Sequence, residues 1–277
     1  MAARAVAGSP AGRRVTVRRS GHEDGTILAL MRDESAGSVT TGGDPAPLGA
    51  RTARIPAEPL TGVAPPAALL VALVLALIGY AALARDVING GAFSEVDAEV
   101  AEWVVGSMPT WVEWLARPFT WLGGVVGMTI VVTAVSVVLL RRGLGREAVV
   151  LVVVTLGSQV LVLSAKAGYE RERPDVGSAI ELPSSFSFPS GHATTGVAVF
   201  GLLGLYTAAL ATTRGRRVAA VCTGFAVGGL VAASRVVLNV HFLSDVLAGA
   251  CLGLAWLSTC LLVEAWLRSR RSRAAAG

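Results

Sequence analysis

Two clusters of charged and polar residues contain the side chains that could do chemistry, and each cluster lies between long apolar runs. Charge beside a membrane is costly, so it is expected where it serves a function. Lys166 is the only lysine among the 24 lysine and arginine residues of the chain. The first cluster contains Lys166, Arg171, Arg173, Ser190, Gly191 and His192, and the second contains Ser234, Arg235, His241 and Asp245.

These residue types favour a site for a multiply charged anion, and phosphate is the natural candidate. Arginine binds phosphate oxygens in pairs, and lysine adds a point charge. Pro189 suits the first turn of a helix, whose free backbone N–H groups beside Gly191 would then face the anion. Neither a cysteine nor an additional carboxylate is placed to hold a metal ion. We therefore expect a site without metal or other cofactor.

The two histidines of these clusters suit covalent catalysis. His241 and Asp245 are four residues apart, which is one helical turn. The carboxylate can then accept the proton of one ring nitrogen and leave the other nitrogen free to attack. His192 is available as the general acid for the leaving group. Taken alone, a pair with this spacing is more often a structural hydrogen bond, and a lone interfacial arginine such as Arg171 is usually a lipid-headgroup anchor.

The composition places the chain in the membrane class. Of its 277 residues, 53% are hydrophobic and 16% are charged, and the mean hydropathy is +0.62. The net charge of +5 comes largely from arginines at the ends and in short loops, which indicates membrane topology rather than nucleic-acid binding. The three cysteines lie inside apolar runs without metal-ligand spacing, and we expect them to be buried packing residues.

Six apolar runs have about the length that a helix needs to cross the roughly 30 Å hydrocarbon layer. The fifth run is short, so we expect its helix to continue through Ser234 and Arg235. Glycine pairs in the fifth and sixth runs have a spacing that permits close helix contact. The runs comprise residues 66–84, 121–140, 148–165, 193–212, 218–233 and 246–267, and the glycines are Gly224, Gly228, Gly249 and Gly253.

The segment between the first and second runs has a different character. Residues 85–123 begin with several acidic side chains and then carry four tryptophans, Trp103, Trp111, Trp114 and Trp121. Tryptophan near charge is typical of the membrane interface. This pattern predicts a helix that lies along the outer surface, although a plain connecting loop with anchoring aromatic residues would have the same composition.

The arginines predict the orientation of the spans. They follow the second, fourth and sixth runs, so the positive-inside rule places these connections and the N-terminus in the cytoplasm. Both chemical clusters then lie on the outer face, where basic residues are normally avoided, and this favours a functional charge cluster. We expect a disordered cytoplasmic tail at 1–62, unless an upstream start codon has been included. A six-span membrane domain at 63–267 and a basic cytoplasmic tail at 268–277 would follow it.

The clusters together resemble a known family signature. Lys166 precedes Arg173-Pro174 by six intervening residues, and Pro189-Ser190-Gly191-His192 follows. Ser234-Arg235 then precedes His241 by five intervening residues, and three more separate His241 from Asp245. This order and spacing resemble the three-part signature of the type 2 phosphatidic acid phosphatase and vanadium haloperoxidase superfamily. The resemblance covers roughly residues 65–267.

The resemblance implies an all-α helical bundle with six transmembrane helices and a metal-independent phosphatase that forms a phosphohistidine. In that scheme His241 is the nucleophile, Asp245 orients it, and His192 protonates the leaving group. The phosphate-binding residues implied by the resemblance are Lys166, Arg173, Ser190, Gly191 and Arg235.

The expected function is that of a cell-membrane lipid phosphate or diphosphate phosphatase, with no nucleic-acid partner and an undetermined oligomeric state. Phosphatidate, phosphatidylglycerol phosphate, diacylglycerol pyrophosphate and a polyprenyl diphosphate such as undecaprenyl diphosphate all remain open as substrates. A vanadate-dependent haloperoxidase is an alternative, although members of that branch are typically soluble. A non-catalytic lipid-binding protein is a second alternative, but binding alone would not require the His192, His241 and Asp245 set.

Overall fold

The computed structural model describes residues 63–275, and within this range it contains eight α-helices and no strand. The predicted all-α membrane fold is confirmed, whereas the predicted N-terminal tail lies outside the described residues. The helices are α1 (Pro66–Asn89), α2 (Ala92–Ser107), α3 (Thr110–Gly123), α4 (Val125–Arg141), α5 (Gly145–Tyr169), α6 (Gly191–Leu210), α7 (Arg214–Val237) and α8 (Leu243–Ala274).

Five helices, α1 and α5 to α8, are long and apolar enough to cross a membrane, and α3 with α4 makes a sixth span if this bent pair is counted as one. Their outward side chains are large and apolar, as expected for helices that face lipid. Leu75 on α1 and Leu163 on α5, for example, are both exposed. The protein is therefore a multi-pass membrane protein.

The second apolar run was predicted to form one span, but a break near its start divides it between two helices. The helix stops at Gly123 and resumes at Val125, with a bend of 57° between α3 and α4. Gly124 has an extended backbone, and its N–H donates to the carbonyls of Thr120 and Trp121. A side chain at Gly127 would lie 2.3 Å from the carbonyl oxygen of Trp121. Small residues at the break therefore let the chain turn sharply, which hydropathy does not detect.

The segment that precedes this break forms two helices, α2 and α3, instead of one surface helix or a loop. Its tryptophans Trp103, Trp111, Trp114 and Trp121 are exposed, as an interfacial position requires. Asp97 on α2, in contrast, is buried against α8. The segment is thus partly a tertiary element that reaches the predicted site.

Helix α6 lies at the centre of the bundle, between α7 and α8. A Cβ added at Gly228 would lie 2.8 Å from the carbonyl oxygen of Gly196, and one at Gly253 would lie 2.3 Å from that of Thr194. Gly224 and Gly249 make equally close approaches to α6. The glycine spacing in the sequence thus corresponds to backbone contacts that bring three site-bearing helices together.

Several helix ends bear on the predicted site. α7 includes Ser234 and Arg235 in its last turns, as expected from the short fifth run. α8 continues to Ala274, into the segment predicted as a basic tail, and Arg268 there pairs with Glu264 and Glu147.

The expectation of buried cysteines was wrong for Cys222, which is exposed on α7, while Cys251 and Cys260 are half-buried. An apolar side chain that faces lipid needs no burial in protein.

Candidate active site

The eight predicted site residues meet at one end of the bundle, where α5 and α7 end and α6 and α8 begin. Antiparallel neighbours place these helix ends side by side. Lys166 lies in the last turn of α5, Arg235 lies in the last turn of α7, and Asp245 lies in the first turn of α8. Arg173 comes from the α5–α6 loop, and the remaining members are Ser190, Gly191, His192 and His241.

Lys166 and Arg173 point at the same part of the α5–α6 loop. The Lys166 ammonium donates to the hydroxyl of Ser185 at 3.2 Å and to the carbonyl of Phe186. The guanidinium of Arg173 donates to the same hydroxyl and the same carbonyl, both at 3.3 Å. Two cations held on shared neutral oxygens form an electropositive patch, and within residues 63–275 neither forms an ion pair with a carboxylate. Sequence reasoning did not identify Ser185 and Phe186, because neither belongs to a recognisable motif.

The ring of His241 is held at both nitrogens. Arg173 Nη1 lies 3.1 Å from Nε2, and because a guanidinium cannot accept a hydrogen bond, Nε2 must be the acceptor. Nδ1 lies 3.3 Å from Asp245 Oδ2 and donates to it. This tautomer leaves the lone pair of His241 on the side of the cations. A nucleophile oriented in this way can attack an anion bound there.

His241 and Asp245 do not lie on one helical turn, although their spacing in the sequence had predicted one. α8 begins at Leu243, so His241 lies in the preceding loop and only Asp245 is helical. The Asp245 carboxylate also accepts the backbone N–H of Phe242 at 3.0 Å, as a capping side chain does at a helix start. This cap folds the loop back over the first turn, which brings the histidine to the carboxylate.

Burial, together with neighbouring positive charges, keeps the imidazole of His241 neutral. Burial lowers its pKa to about 4; the hydrogen bond and the charge of Asp245 oppose this shift, and the positive charges of Arg173 and Arg235 add to it. Burial also lowers the pKa of Arg173, with Asp245 opposing the effect. At neutral pH the imidazole therefore retains the free electron pair that a nucleophile needs.

The N-terminus of α6 completes the polar lining. Ser190 is the N-cap residue, and the first intrahelical hydrogen bond runs from the Thr194 N–H to its carbonyl at 3.0 Å. The amides of Gly191 and His192 therefore precede the hydrogen-bonded part of the helix and are available to an anion. Pro189 precedes the N-cap and does not occupy the first helical turn, contrary to its prediction.

His192 and Arg235 meet at Thr120, near the end of α3. The Thr120 carbonyl lies 3.1 Å from His192 Nε2 and accepts its proton, since a carbonyl cannot donate. Arg235 donates to the hydroxyl of the same threonine. Thr120 was not identified from the sequence, because it belongs to the segment predicted as a surface helix or a connecting loop and matches no motif. The bend after α3 brings it there.

Two of these residues retain unused hydrogen-bonding capacity. Among residues 63–275, three buried side-chain polar atoms have no hydrogen-bond partner, and two of them are Ser190 Oγ and Arg235 Nε. The third belongs to Ser136. Buried polar groups are nearly always paired, so an unpaired donor calls for an explanation. A phosphate oxygen would satisfy both atoms.

Arg171 does not lie where a lipid-headgroup anchor would, although the sequence alone favoured that role for a lone interfacial arginine. Its guanidinium donates to Asp245 Oδ1 at 2.6 Å and to Asp97 Oδ2 at 2.8 Å, and it stacks over the ring of Phe242. Neither Asp97 nor this role of Arg171 was identified from the sequence. Arg171 thus contacts the carboxylate behind His241, and its guanidinium is shared between two carboxylates.

The donor set does not resemble a metal site. No group of three histidine, cysteine, aspartate or glutamate side chains in the described part of the chain could hold a metal ion. The site contains instead three cations, a helix N-terminus, a carboxylate-bound imidazole and a second histidine. This arrangement can hold a phosphate group and present a nitrogen nucleophile to it.

A family model and a curated protein match parts of this chain. The family model of the PAP2 superfamily matches residues 147–269. Phosphatidylglycerophosphatase B of Bacillus subtilis is 36% identical over 91 residues, which cover 32% of this chain and 44% of that protein. The chain thus matches less than half of this curated relative's length.

One solved structure shares the fold, and a second is more distantly similar. The first, a transmembrane PAP2-type phosphatidylglycerolphosphate phosphatase from Bacillus subtilis, superimposes with a TM-score of 0.62 and 25% identity. The superposition covers 68% of this chain and 93% of that one. LpxE of Aquifex aeolicus has a TM-score of 0.47 and 20% identity, covering 59% of this chain and 93% of that one.

Proposed function

We propose that this chain, which matches the PAP2 superfamily model over residues 147–269, is a membrane-embedded phosphatase of that superfamily that hydrolyses the phosphate or diphosphate group of a lipid. The observation that carries this proposal is the pair of unpaired buried groups, Ser190 Oγ and Arg235 Nε, near an imidazole whose free electron pair faces cations. The names of the similar proteins support a phosphoric ester as the substrate.

The proposed reaction has two steps. Nε2 of His241 attacks phosphorus and forms a P–N bond while the bond to the lipid oxygen breaks. His192, as an imidazolium favoured by the bound phosphate charge, donates a proton to that oxygen. The lipid alcohol then departs. Water attacks the phosphohistidine, the P–N bond breaks, and His192 accepts a proton from the water, so that inorganic phosphate is released and His241 is restored. Asp245 stabilises the positive charge that develops on His241 during the attack.

The phosphate-binding residues divide into cations and hydrogen-bond donors. Lys166, Arg173 and Arg235 neutralise the phosphoryl oxygens. Arg173 would exchange its contact with His241 Nε2, and Arg235 its contact with Thr120, for one with the substrate, which frees the Nε2 electron pair for attack. Ser190 Oγ and the amide of Gly191 donate hydrogen bonds at the start of α6. Charge stabilisation of this kind by pre-oriented donors is commonly a large contribution to catalysis. No step in this scheme needs a metal ion.

An apolar groove supports a lipid substrate. It lies between α4 and α5 and has a volume of about 400 Å³, with Val125, Met128, Val152 and Leu156 in its lining. Val125 directly follows Gly124, whose Cβ position lies 3.9 Å from His192 Nε2. An acyl or prenyl chain in this groove would therefore end close to the proton donor. Val152→Trp should slow hydrolysis of a long-chain lipid phosphate and leave hydrolysis of a water-soluble aryl phosphate unchanged; equal slowing of both would contradict this use of the groove.

The substrate panel tests the function directly. Purified protein in detergent would be offered phosphatidate, phosphatidylglycerol phosphate, diacylglycerol pyrophosphate and undecaprenyl diphosphate, with phosphate release measured with and without EDTA. We expect release from at least one lipid and no loss in EDTA. No release from any lipid would refute the function, and activity that requires added magnesium would refute the metal-free mechanism. Vanadate-dependent bromide oxidation would favour the haloperoxidase alternative.

A further inference from the structure

We propose that Asp97 and Arg171 are positioning residues for the nucleophile, acting through Asp245. Together Asp97, Arg171, Asp245 and His241 form what we call the positioning chain. The proposal deepens the proposed function and rests on His241 as its nucleophile. It assigns a role in the reaction to α2, a helix outside the segment that the family model matches.

The first link joins Arg171 to the carboxylate of Asp245. Arg171 Nη1 donates to Asp245 Oδ1 at 2.6 Å, while Oδ2 of the same carboxylate accepts from His241 Nδ1 at 3.3 Å. Oδ2 also accepts the backbone N–H of Phe242 at 3.0 Å. Both oxygens are therefore held, and the carboxylate cannot rotate without losing a charged partner. Its direction sets the direction of the imidazole.

The second link joins Arg171 to Asp97. Asp97 Oδ2 accepts from Arg171 Nη2 at 2.8 Å, and Oδ1 accepts the backbone N–H of Ser244 at 2.8 Å. The Ser244 hydroxyl accepts from Arg171 Nη1 at 2.7 Å and donates to Asp97 at 2.5 Å. Asp97 is thus attached to both the guanidinium and the first turn of α8. It keeps the arginine and the Asp245 helix in one arrangement.

Burial makes this arrangement consequential. The side chains of Asp97 and Asp245 are 1% and 0% exposed, and that of Arg171 is 15% exposed. One guanidinium serves two buried carboxylates, and the ring of Phe242 covers it with a centroid distance of 4.4 Å. If Asp97 were neutral, Arg171 would lose one of its two charged partners and would be held less firmly between the two side chains. The carboxylate behind the nucleophile would then be less well oriented.

The positioning chain does not include the phosphate-binding groups. Lys166 and Arg173 are held by Ser185 and Phe186, and Arg235 is held by Thr120. Arg173 meets the positioning chain at His241 Nε2, which is the end of that chain opposite Asp97. A change at Asp97 should therefore affect the chemical step and leave phosphate binding intact. A merely structural role would weaken both.

The test compares Asp97→Asn with Glu99→Gln, a matched carboxylate-to-amide change at an exposed position of the same helix. Full-length protein in detergent would be assayed for kcat and KM on the best lipid phosphate, and for inhibition by inorganic phosphate. We expect Asp97→Asn to lower kcat by about 10- to 100-fold, the usual cost of losing an outer partner of an active group. KM and the inhibition constant of phosphate should remain within about twofold of wild type, and Glu99→Gln should behave as wild type.

A double variant and a milder variant complete the test. If Asp97 and Arg171 act along one route, Asp97→Asn combined with Arg171→Gln should lose no more kcat than Arg171→Gln alone. Ser244→Ala removes the bridging hydroxyl and keeps every charge. It serves as the test if Asp97→Asn does not give a stable protein, and we expect it to lower kcat by a smaller factor. The proposal would be overturned if the kcat losses of Asp97→Asn and Arg171→Gln multiplied in the double variant, or if Asp97→Asn left kcat unchanged. It would also be overturned if Asp97→Asn weakened inhibition by phosphate as much as it lowered kcat.

One measurement does not depend on turnover. In Arg171→Gln, Asp245 Oδ1 loses its charged partner, so the downfield NMR signal of the His241 Nδ1 proton, which reports its hydrogen bond to Asp245, should shift upfield or broaden. Glu99→Gln should leave this signal unchanged. If the wild type released no phosphate from any lipid, the proposed function would fail, while the changed Nδ1 signal would still support the positioning chain. An unchanged signal in Arg171→Gln would overturn it.

Discussion

His241 is a nucleophile candidate because its two ring nitrogens have different partners. Asp245 accepts the proton of Nδ1, and Arg173 holds Nε2 as an acceptor among the cations. His192 has the opposite arrangement, since its Nε2 donates to the carbonyl of Thr120. One histidine thus presents an electron pair and the other presents a proton. The two should fail differently when they are removed.

His192→Ala should be much less damaging on an aryl phosphate than on a lipid phosphate. A phenolate leaves without protonation, whereas a lipid alkoxide needs a proton, and general acid catalysis contributes about 10²- to 10⁴-fold. The gap between the two substrates should be of that order for His192→Ala and absent for His241→Ala. Rapid quenching with radiolabelled substrate should trap phosphate on the His192→Ala protein only. Label on the His241→Ala protein would contradict the assignment.

Arg173→Gln should move the acidic limb of the pH–rate profile to higher pH. The positive charge of Arg173 contributes to lowering the pKa of His241 to about 4, so its removal raises that pKa and protonates the nucleophile earlier as pH falls. The ratio of kcat/KM for the variant to that for wild type should therefore decrease from pH 7 to pH 4; ionisation of the substrate cancels in this ratio. Arg173→Lys keeps the charge and should give a much flatter ratio. A ratio for Arg173→Gln that rises at acid pH would contradict the argument.

At the scale of elements, backbone contact between helices holds the site together. α6 carries His192, α7 carries Arg235 and α8 carries Asp245, and these helices approach closely at glycines. Helices in lipid gain little from apolar burial against each other, so close packing supplies much of their association. The distance between α6 and its neighbours therefore affects both stability and the geometry of the site.

Gly228→Ala should destabilise the protein, whereas Gly229→Ala on the same helix should not. A Cβ at Gly228 would lie 2.8 Å from the Gly196 carbonyl oxygen, and a Cβ at Gly229 would meet nothing within 4 Å. Alanine is otherwise favoured over glycine in a helix by about 1 kcal/mol. Thermal unfolding in detergent should give a lower Tm for Gly228→Ala and a Tm equal to or above wild type for Gly229→Ala. The same Tm for both variants would show that this contact is not limiting.

At the scale of the whole molecule, the site lies at one end of the bundle and the arginine-rich turns lie at the other. The turns after α4 and α6 and the end of α8 carry the basic residues, so we propose that this end faces the cytoplasm and the site faces outward. A phosphatase in this orientation would act on lipid phosphates exposed on the outer leaflet. The proposal can be tested without knowledge of the substrate.

Ser184→Cys should react with a membrane-impermeant thiol reagent in intact cells, and Gly215→Cys should react only after the membrane is permeabilised. Both positions are exposed, one in the α5–α6 loop and the other at the start of α7. The three native cysteines would first be replaced. Gly177 is a poorer probe, because its φ of 101° would strain a cysteine. Labelling of Gly215→Cys alone in intact cells would place the site in the cytoplasm.

The sequence by itself determined the membrane class, the all-α fold and the set of residues that the helix ends bring together. It could do so because hydropathy is a local property and because Lys166, His192 and His241 are unusual among apolar runs. The bend at Gly124 and the approach of Thr120 were decided by packing. Arg171 and Asp97 show the same limit most clearly, since they are 74 residues apart in the chain. Only the tertiary structure decides which carboxylate an arginine meets, because an ion pair depends on distance in space and leaves no periodic pattern in the sequence.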